Sequence, residues 1–529
     1  MNIAAILSER AATHPDVPAI IDAPRGRAAQ ARTTTYAGLE RAAAQGATLL
    51  WGAGLRPGDR VLVFVPMSAE LYAVLIALFR LGLVPMFVDP SSGLEHLERC
   101  CKLMPPRAFV GSPKAHLLRA LSPALRRIPL RIVVGGVAPG ALRWSHARQL
   151  APWAPIHASG DDDPALISFT SGSTGAPKVC VRSHRLLLAQ QAVLARHFGG
   201  DVVVGTRALT ALPIFVLAYL AGGATSVIPP GDLRHPARIN PVAVVAALEA
   251  HQPTRAGASP AFWERIVAHC QATGQTLPAL SHIYLGGAPV FPHLLRALHA
   301  VAPAAITVIY GSTEAEPIAH VDYAAIQPAD FAAMTGGFGL LAGTPVPEIE
   351  VAVLANRWGA PLGPLSAAAF AALRLGADQP GEIVVRGDHV LPGYLHGEGD
   401  AETKLRVAGA IWHRTGDAGY LDARGRLWLL GRCAAGIADA RGVLYPLSVE
   451  CAVSSVPEVR RVALVGAGGR RTLVYERRQP GDPATPAGLL RHTAWAAIDD
   501  YREVPRIPVD RRHNAKVDYP ALGRLLARE

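Results

Sequence analysis

A stretch rich in glycine and hydroxyl groups ends in a lysine: Thr170, Ser171, Gly172, Ser173, Thr174, Gly175, Ala176, Pro177 and Lys178. Glycines allow several backbone N–H groups to point at one anion, and hydroxyl and ammonium groups add further donors. The stretch therefore predicts a loop that holds phosphate groups. It is not a Walker A loop, because Lys178 is followed by the β-like run Val179–Val181 instead of starting a helix. A flexible linker is the alternative, but a linker would not normally separate two apolar strands.

Three more motifs follow apolar runs or lie in turns. Small residues at 286–289 (Gly-Gly-Ala-Pro) let a flat ring approach the backbone, and Tyr310 offers a ring to stack on it. After Tyr310, the residues Gly311, Ser312, Thr313 and Glu314 supply hydroxyls for a phosphate and a carboxylate for Mg²⁺, which prefers few carboxylates together with substrate phosphates. Asp417, beside Gly416, suits two ribose hydroxyls. Taken singly, these motifs are also compatible with an ordinary turn, a core tyrosine or a helix start.

In this order the motifs resemble those of the adenylate-forming enzymes, which include acyl-CoA synthetases, nonribosomal peptide adenylation domains and luciferases. The resemblance covers essentially the whole chain and implies ATP and Mg²⁺ as cofactors. It implies that residues 170–178 hold the ATP β- and γ-phosphates, that Thr313 contacts the α-phosphate and that Glu314 binds the metal. It also implies that Asp417 and Arg432 hold the ribose. Lys516 resembles the C-terminal lysine that bridges the acid and the α-phosphate. The residues that the resemblance assigns to catalysis are Lys178, Thr313, Glu314 and Lys516, and those it assigns to the nucleotide are Thr170, Ser171, Gly172, Ser173, Thr174, Gly175, Gly287, Ala288, Pro289, Tyr310, Gly311, Ser312, Asp417 and Arg432.

Departures from the common family pattern indicate one branch. Val179 stands where most members have glycine, and Ala434 stands at the hinge position where Asp or Lys is usual. With the runs at 440–445 and 508–516, the chain resembles the β-lactone synthetases of bacterial olefin biosynthesis. This branch implies that the acyl-AMP of a β-hydroxy acid is attacked by its own hydroxyl, without CoA. A CoA ligase or a carrier-protein-loading ligase remains an alternative, so the use of CoA as a cosubstrate is undecided. A non-catalytic nucleotide- or acyl-binding relative is a further alternative.

The acid substrate is expected to be hydrophobic. The residues expected near its acyl chain are apolar or small: Phe215, Val216, Tyr219, Leu220, Ser259, Pro260, Gly286 and the Ala288–Pro289 turn. The alternative for these positions is plain core packing.

Helical and β-like segments alternate over the first part of the chain, for example at 36–54, 60–65, 69–83 and 84–88. Such alternation is typical of βαβ units with parallel strands. With the resemblance, it predicts an α/β fold: a large N-terminal domain of βαβ-type subdomains (residues 1–431) and a small, mobile α+β C-terminal domain (residues 432–529) carrying the lysine.

Composition limits the partners. The 529 residues include 52 Lys or Arg and 41 Asp or Glu, a net charge of +11, yet the arginines are dispersed. We therefore expect the net positive charge to reflect an arginine-rich composition and not a surface that binds nucleic acid. The six cysteines form no C-x-x-C pair, which excludes a zinc ribbon or a thioredoxin-like redox site, and their scatter along the chain fits a reducing compartment. The uncharged stretch 208–231 contains prolines and glycines, which disfavours a membrane span. The chain is expected to be a cytoplasmic enzyme that acts on a small-molecule acid, and other enzymes of the same pathway stay open as partners.

Overall fold

The computed structural model describes residues 2–23, 31–89, 92–171, 177–199, 202–467, 469–479, 485–509 and 517–526. These residues fall into two units. The first unit comprises Met1–Leu233, Ile239–Gly257 and Gly393–Gly399, and the second comprises Arg234–Arg238, Ala258–Pro392 and Asp400–Glu529. Both units mix helices and strands, which confirms the α/β class. The domain boundary expected at residue 432 lies within the second unit and stays a prediction.

The first unit contains most of the parallel strands. Its helices and strands are α1 (Ala4–Thr13), β1 (Pro18–Asp22), β2 (Arg32–Thr35), α2 (Tyr36–Gly52), β3 (Arg60–Phe64), α3 (Ala69–Arg80), β4 (Val84–Phe87), α4 (Leu94–Leu103), β5 (Ala108–Gly111), α5 (Pro113–Leu121), α6 (Pro123–Arg127), β6 (Leu130–Val133), β7 (Leu142–Arg143), β8 (Pro164–Ser171), β9 (Pro177–Ser183), α7 (His184–Phe198), β10 (Arg207–Thr210), α8 (Pro213–Ala221), β11 (Thr225–Val227), α9 (Pro241–His251) and β12 (Arg255–Ala258).

The second unit follows with more antiparallel pairing. Its elements are α10 (Pro260–Thr273), β13 (His282–Gly286), α11 (Pro292–Val301), β14 (Ala305–Ser312), β15 (Ala315–Asp322), α12 (Pro328–Thr335), β16 (Leu340–Pro345), β17 (Glu350–Leu354), α13 (Ala367–Leu373), β18 (Gly381–Arg386), α14 (Asp400–Thr403), β19 (Lys404–Val407), β20 (Ala410–Leu421), β21 (Leu427–Arg432), β22 (Ile437–Asp439), β23 (Gly442–Leu444), α15 (Pro446–Val453), β24 (Val459–Ala467), β25 (Arg470–Arg477), α16 (Ala487–Thr493), β26 (Asp500–Glu503) and α17 (Tyr519–Leu526).

The expected βαβ pattern is confirmed in the first unit. A seven-stranded sheet has the order β7-β6-β5-β3-β4-β8-β9, and all its neighbouring strands are parallel except the β8–β9 pair. Helices α2 and α3 begin where the side chains of Thr35 and Ser68 accept backbone N–H groups of the first turn. Helix α3 is buried along its whole length, because almost every residue in it is apolar. A second group of strands contains β10 between β11 and β12, with β1 and β2 beyond β11.

The second unit changes from parallel to antiparallel pairing along one sheet. Strands β13 and β14 are parallel, and β14, β15, β16, β21, β20, β18 and β17 then follow in antiparallel order. Near the C-terminus, α15 packs with the sheet β24-β25-β26 around an apolar core that includes Val449, Leu464 and Leu473.

The uncharged stretch 208–231 folds as strand β10, the nine-residue helix α8 and strand β11. None of the helices within the described ranges combines the length and the apolar composition needed to cross a bilayer.

Candidate active site

The predicted phosphate loop connects the two strands of an antiparallel hairpin in the first unit. Thr170 on β8 pairs with Lys178 on β9, and the backbone of Ser171 pairs with Pro177. The β-like run predicted at Val179–Val181 is confirmed as part of β9, which also includes Lys178. The loop residues Gly172, Ser173, Thr174, Gly175 and Ala176 lie outside the described residues, and so does the side chain of Ser171.

Lys178 is covered by a segment that the sequence analysis did not identify. Its side chain is only 8% exposed, and its Nζ lies 5.6 Å from the centre of the Tyr394 ring. An added Cβ on Gly399 would lie 2.6 Å from Cε of Lys178, so the lysine stem passes directly over this glycine. Gly399 also has φ +95°, a conformation that other residues rarely adopt. No local motif around Tyr394 or Gly399 indicates this contact.

In the second unit, two predicted motifs meet at one edge of the sheet. Gly286 ends β13 and pairs with Ile309 on β14, the residue before Tyr310. Because parallel strands bring their carboxyl ends to the same edge, residues 286–289 lie beside the motif that starts at Tyr310. Gly287 is exposed with φ +85°, while Ala288 and Pro289 are half-buried before α11 begins.

The turn that presents Thr313 and Glu314 is fixed through its backbone. The backbone N–H of Glu314 donates to Oγ of Ser312 at 3.2 Å, and its carbonyl oxygen accepts the N–H of Leu391 at 2.7 Å. A Cβ on Gly311 would lie 2.9 Å from the carbonyl oxygen of Ala315, so a side chain does not fit there. The side chains of Thr313 and Glu314 are half-buried.

Asp417 connects two other predicted residues. Its Oδ2 accepts a 2.8 Å hydrogen bond from Oη of Tyr310, and its Oδ1 lies 3.1 Å from Nη1 of Arg432. Asp417 and Arg432 are also direct partners on β20 and β21. The charge of Asp417 raises the pKa of Arg432. Burial, together with the same carboxylate, raises the pKa of Tyr310 well above its ordinary value, so the phenol keeps its proton and donates it.

Asp417 lies within strand β20 instead of in the expected turn, and a buried ion pair that the sequence analysis missed includes the arginine three residues before it on the same strand. Arg414 on β20 and Glu382 on β18 both have side chains with 0% exposure, and Nη2 of Arg414 lies 2.7 Å from Oε2 of Glu382. The same guanidinium donates to the carbonyl oxygens of Ala360 and Arg357. Charged residues are rarely buried without a partner, but sequence alone does not reveal which carboxylate pairs with which arginine.

Comparison with known proteins identifies the family. The family model described as "AMP-binding enzyme" matches residues 7–395. The chain belongs to this family. This adenylate-forming enzyme is 35% identical to the olefin β-lactone synthetase of Stenotrophomonas maltophilia, over 98% of this chain and 96% of the relative. It is 33% identical to the olefin β-lactone synthetase of Xanthomonas campestris over the same shares of the two chains.

The fold agrees with the family assignment. The structure of an amide bond synthetase from Marinactinospora thermotolerans matches with a TM-score of 0.78, 22% identity and coverage of 99% of both chains. The chain is therefore an AMP-forming ligase or synthetase that uses ATP.

The residues expected around the acyl chain of this adenylate-forming enzyme lie on several elements. In the first unit, α8 carries Phe215, Val216 and Tyr219, each at most 5% exposed, and the rings of Phe215 and Tyr219 are 6.4 Å apart. Val216 and Leu220 belong to the apolar core that also contains α3. In the second unit, Ser259 and Pro260 begin α10, and Oγ of Ser259 is buried with no hydrogen-bond partner among the described residues. Their contact with an acyl chain stays a prediction.

Lys516 lies outside the described residues, but the residues on either side of its segment are defined. Val509 and Val517 form an isolated antiparallel bridge, and the N–H of Asp518 donates to the carbonyl oxygen of Pro508 at 3.0 Å. Tyr519, which begins α17, donates from Oη to Oε1 of Glu450 on α15 at 2.9 Å. The two ends of the segment that carries Lys516 are thus attached to the fold of the second unit.

Proposed function

We propose that this adenylate-forming enzyme activates a hydrophobic β-hydroxy acid as its acyl-AMP and then closes it to a β-lactone. The observation that carries the proposal is the 33–35% identity to two olefin β-lactone synthetases over 98% of the chain. The departures at Val179 and Ala434 point to the same branch.

For the nucleotide, we assign the ribose to Asp417. A carboxylate can accept bonds from both ribose hydroxyls, and Tyr310 and Arg432 fix its orientation. Because the hydroxyl of Tyr310 is engaged with Asp417, the plane of its ring is fixed for stacking on adenine. The exposed backbone at Gly287, on the neighbouring strand end, suits the close approach of a flat base.

For the phosphates, we assign Lys178, Thr313 and Glu314. The backbone of Glu314 is fixed at both its N–H and its carbonyl, and we assign its half-buried carboxylate to the cation. One carboxylate together with substrate phosphates is the donor set that Mg²⁺ prefers, so the residues present fit this metal. When bound, Mg²⁺ would offset the negative charge of the phosphates.

The reaction then has two steps. An oxygen of the substrate carboxylate attacks the α-phosphorus of ATP, and pyrophosphate leaves. The negative charge that gathers there would be stabilised by the ammonium of Lys516. In the second step the 3-hydroxyl oxygen of the same molecule attacks the acyl carbon, AMP leaves with the bonding electron pair, and the hydroxyl proton is released. Proximity enforced within one bound molecule offsets part of the ring strain.

Product analysis tests the proposal. Purified protein, ATP and Mg²⁺ are incubated with a long-chain 2-alkyl-3-hydroxy acid, with and without CoA, and with the matched acid that lacks the 3-hydroxyl. We expect a β-lactone and AMP from the hydroxy acid without CoA, and no lactone from the deoxy acid. An acyl-CoA formed only when CoA is present would replace the proposal with a CoA ligase. AMP release with neither product would indicate another acceptor, such as a carrier protein.

A further inference from the structure

Nearly all of the net positive charge of this chain comes from one segment. The 62 residues from Arg99 to Gly160 contain ten Lys or Arg and no Asp or Glu. The whole chain has 52 basic and 41 acidic residues, so the rest has 42 and 41, a net charge of only +1. Arginines are dispersed along the sequence, as expected, but acidic residues are absent from this one stretch. The net charge of +11 is therefore not a uniform composition bias.

The fold places this segment at one edge of the first unit. It forms β5, α5, α6, β6 and β7, and strands β7, β6 and β5 are the three at one end of the seven-stranded sheet. Arg99 pairs with Glu95 at 2.8 Å. None of the other nine basic residues forms an ion pair with a carboxylate in the part of the chain that the structure describes. The positive charge at this edge is therefore largely uncompensated.

Three arginines within the segment are held in place without being neutralised. Arg119 donates to the carbonyl oxygen of Pro139 at 3.0 Å, Arg126 to that of Ala120 at 2.8 Å, and Arg131 to that of Arg126 at 2.7 Å. Burial and the nearby charge of Arg131 lower the pKa of Arg119, as expected for cations without a counter-ion.

Helix α5 adds exposed apolar side chains to the same edge. Leu117 is 71% exposed and Leu121 is 67% exposed, and their spacing of four residues puts them on one helix face. Lys114, also exposed, precedes Leu117 by three residues and lies on the same face. Monomeric proteins rarely group large exposed apolar side chains in this way without an interaction partner.

The loop after β6 lies along α5 and adds Val137, which is 61% exposed. An added Cβ on Gly136 would lie 2.7 Å from Cγ of Pro113, at the start of α5. At the other end, the carbonyl oxygen of Pro139 accepts the hydrogen bond from Arg119. Val137 therefore projects from a loop that is attached to α5 at both ends.

We propose that this surface, formed by Lys114, Leu117, Leu121 and Val137, with the exposed Arg127 on the adjoining helix α6, and here called the α5 face, binds the surface of an anionic lipid membrane. Aliphatic side chains enter the boundary between headgroups and acyl chains, while lysine and arginine contact lipid phosphates. Nucleic acid would also attract the arginines, but phosphate contacts do not require exposed leucines. The combination of an acid-free surface and aliphatic side chains favours the lipid. The inference does not depend on which product the enzyme makes.

The test is co-sedimentation of the full-length protein with vesicles of phosphatidylglycerol and phosphatidylcholine, compared with vesicles of phosphatidylcholine alone. We expect binding to the anionic vesicles that weakens as salt rises. The charge variant Lys114→Glu/Arg127→Glu should lose at least about tenfold in vesicle affinity, since each basic residue near an anionic surface contributes several-fold. The apolar variant Leu117→Ser/Leu121→Ser should bind more weakly while keeping the salt dependence.

A matched control is Leu490→Ser/Arg491→Glu, which changes two exposed residues of the second unit and should leave vesicle binding unchanged. All variants should release AMP from a water-soluble acid in vesicle-free buffer at the wild-type rate, which separates the membrane inference from the proposed function. Equal sedimentation of wild type and both variants would overturn the inference, as would no binding to anionic vesicles. Binding to double-stranded DNA that only the charge variant weakens, without vesicle binding, would replace the lipid with a nucleic acid.

Discussion

The hydroxyl of Tyr310 and the carboxylate of Asp417, 107 residues apart in the chain, are joined by a 2.8 Å hydrogen bond. The contact links the ring expected to stack on adenine with the acid expected to hold the ribose. Arg432 binds the other oxygen of the same carboxylate. The two predicted nucleotide contacts are therefore hydrogen-bonded to each other, and a substitution at Tyr310 should alter the orientation of the Asp417 carboxylate.

The variant Tyr310→Phe keeps the ring but removes this hydrogen bond. A hydrogen bond to a charged group contributes about 1.5–3 kcal/mol, so we expect the KM for ATP to rise about tenfold or more. The KM for the acid should change little. Steady-state AMP release measures both constants. Tyr323→Phe, at a tyrosine of the same unit that contacts the rings of His299 and Phe331, is the control and should behave as wild type. An unchanged KM for ATP in Tyr310→Phe would contradict the assignment.

The sequence predicted local features well, because they follow local rules. The helices at 36–52 and 69–80 and the strand that follows Lys178 agree with periodicity and with the residues that flank each element. The nearness of residues 286–289 to Tyr310 follows once both strands are known to be parallel neighbours.

Contacts between distant segments were not predictable in the same way. Nothing near Tyr394 or Gly399 indicates that they cover Lys178, and Glu382 is one of many glutamates that could pair with Arg414. Such pairs are chosen by tertiary packing, which leaves no periodic pattern in one sequence. The α5 face was not predicted for a different reason. The segment 99–160 is distinguished by its lack of Asp and Glu, and this lack is easily overlooked because the arginines are dispersed along the whole chain.

The buried pair of Arg414 and Glu382 should be essential for the stability of the second unit. Glu382→Gln would leave a buried guanidinium charge without its counter-ion, at a cost of about 3–5 kcal/mol in the free energy of unfolding. Urea unfolding of the purified variant measures this loss. The double variant Glu382→Leu/Arg414→Met should recover part of it, because no isolated charge remains.

The control for this pair is Glu350→Gln, which breaks an exposed pair with Arg386 on the neighbouring strands β17 and β18. Exposed pairs contribute at most about 1 kcal/mol, so this variant should remain close to wild type. If Glu382→Gln were no more destabilising than Glu350→Gln, the buried pair would not have the stabilising role given to it here.

Gly399→Ala tests whether the segment over Lys178 positions that lysine. The new methyl group would meet the lysine stem, so we expect AMP release to fall about tenfold or more from displacement of Lys178. The variant Gly54→Ala is matched in conformation, with φ +91°, but has open space around its Cβ. This variant shows the effect of placing an alanine at a positive φ without a contact to Lys178, and it should keep full activity. Equal activities of the two variants would show that the contact with Lys178 does not matter.

Lys516→Ala tests the assignment of the C-terminal lysine. Removing a cation that stabilises charge in the transition state should lower the rate of adenylation about a hundredfold or more, while ATP binding stays nearly unchanged. Pyrophosphate exchange measures the first quantity and equilibrium nucleotide binding the second. Lys102→Ala, at an exposed lysine of α4, is the control. Wild-type exchange in Lys516→Ala would rule out the assigned role.

Glu450 gives the stability of the C-terminal region a pH dependence. Burial raises the pKa of Glu450 from 4.5 to about 7 in the folded protein, and its Oε1 accepts the hydrogen bond from Tyr519. Between these two values the folded state holds a proton that the unfolded chain has lost, so stability falls as the pH rises and stays lower above about pH 7. Glu450→Gln cannot ionise and its amide oxygen can still accept from Tyr519.

The stability of Glu450→Gln relative to wild type should therefore increase by about 2 kcal/mol between about pH 5 and about pH 8. Urea unfolding at a series of pH values measures the difference. Glu458→Gln, at an exposed glutamate five residues beyond the end of α15, should show no such increase. Parallel stability curves for wild type and Glu450→Gln would mean that Glu450 is already ionised in the folded protein at low pH. The hydrogen bond from Tyr519 would then join a neutral phenol to a carboxylate throughout this range, and the attachment of α17, just after the segment that carries Lys516, would be insensitive to pH.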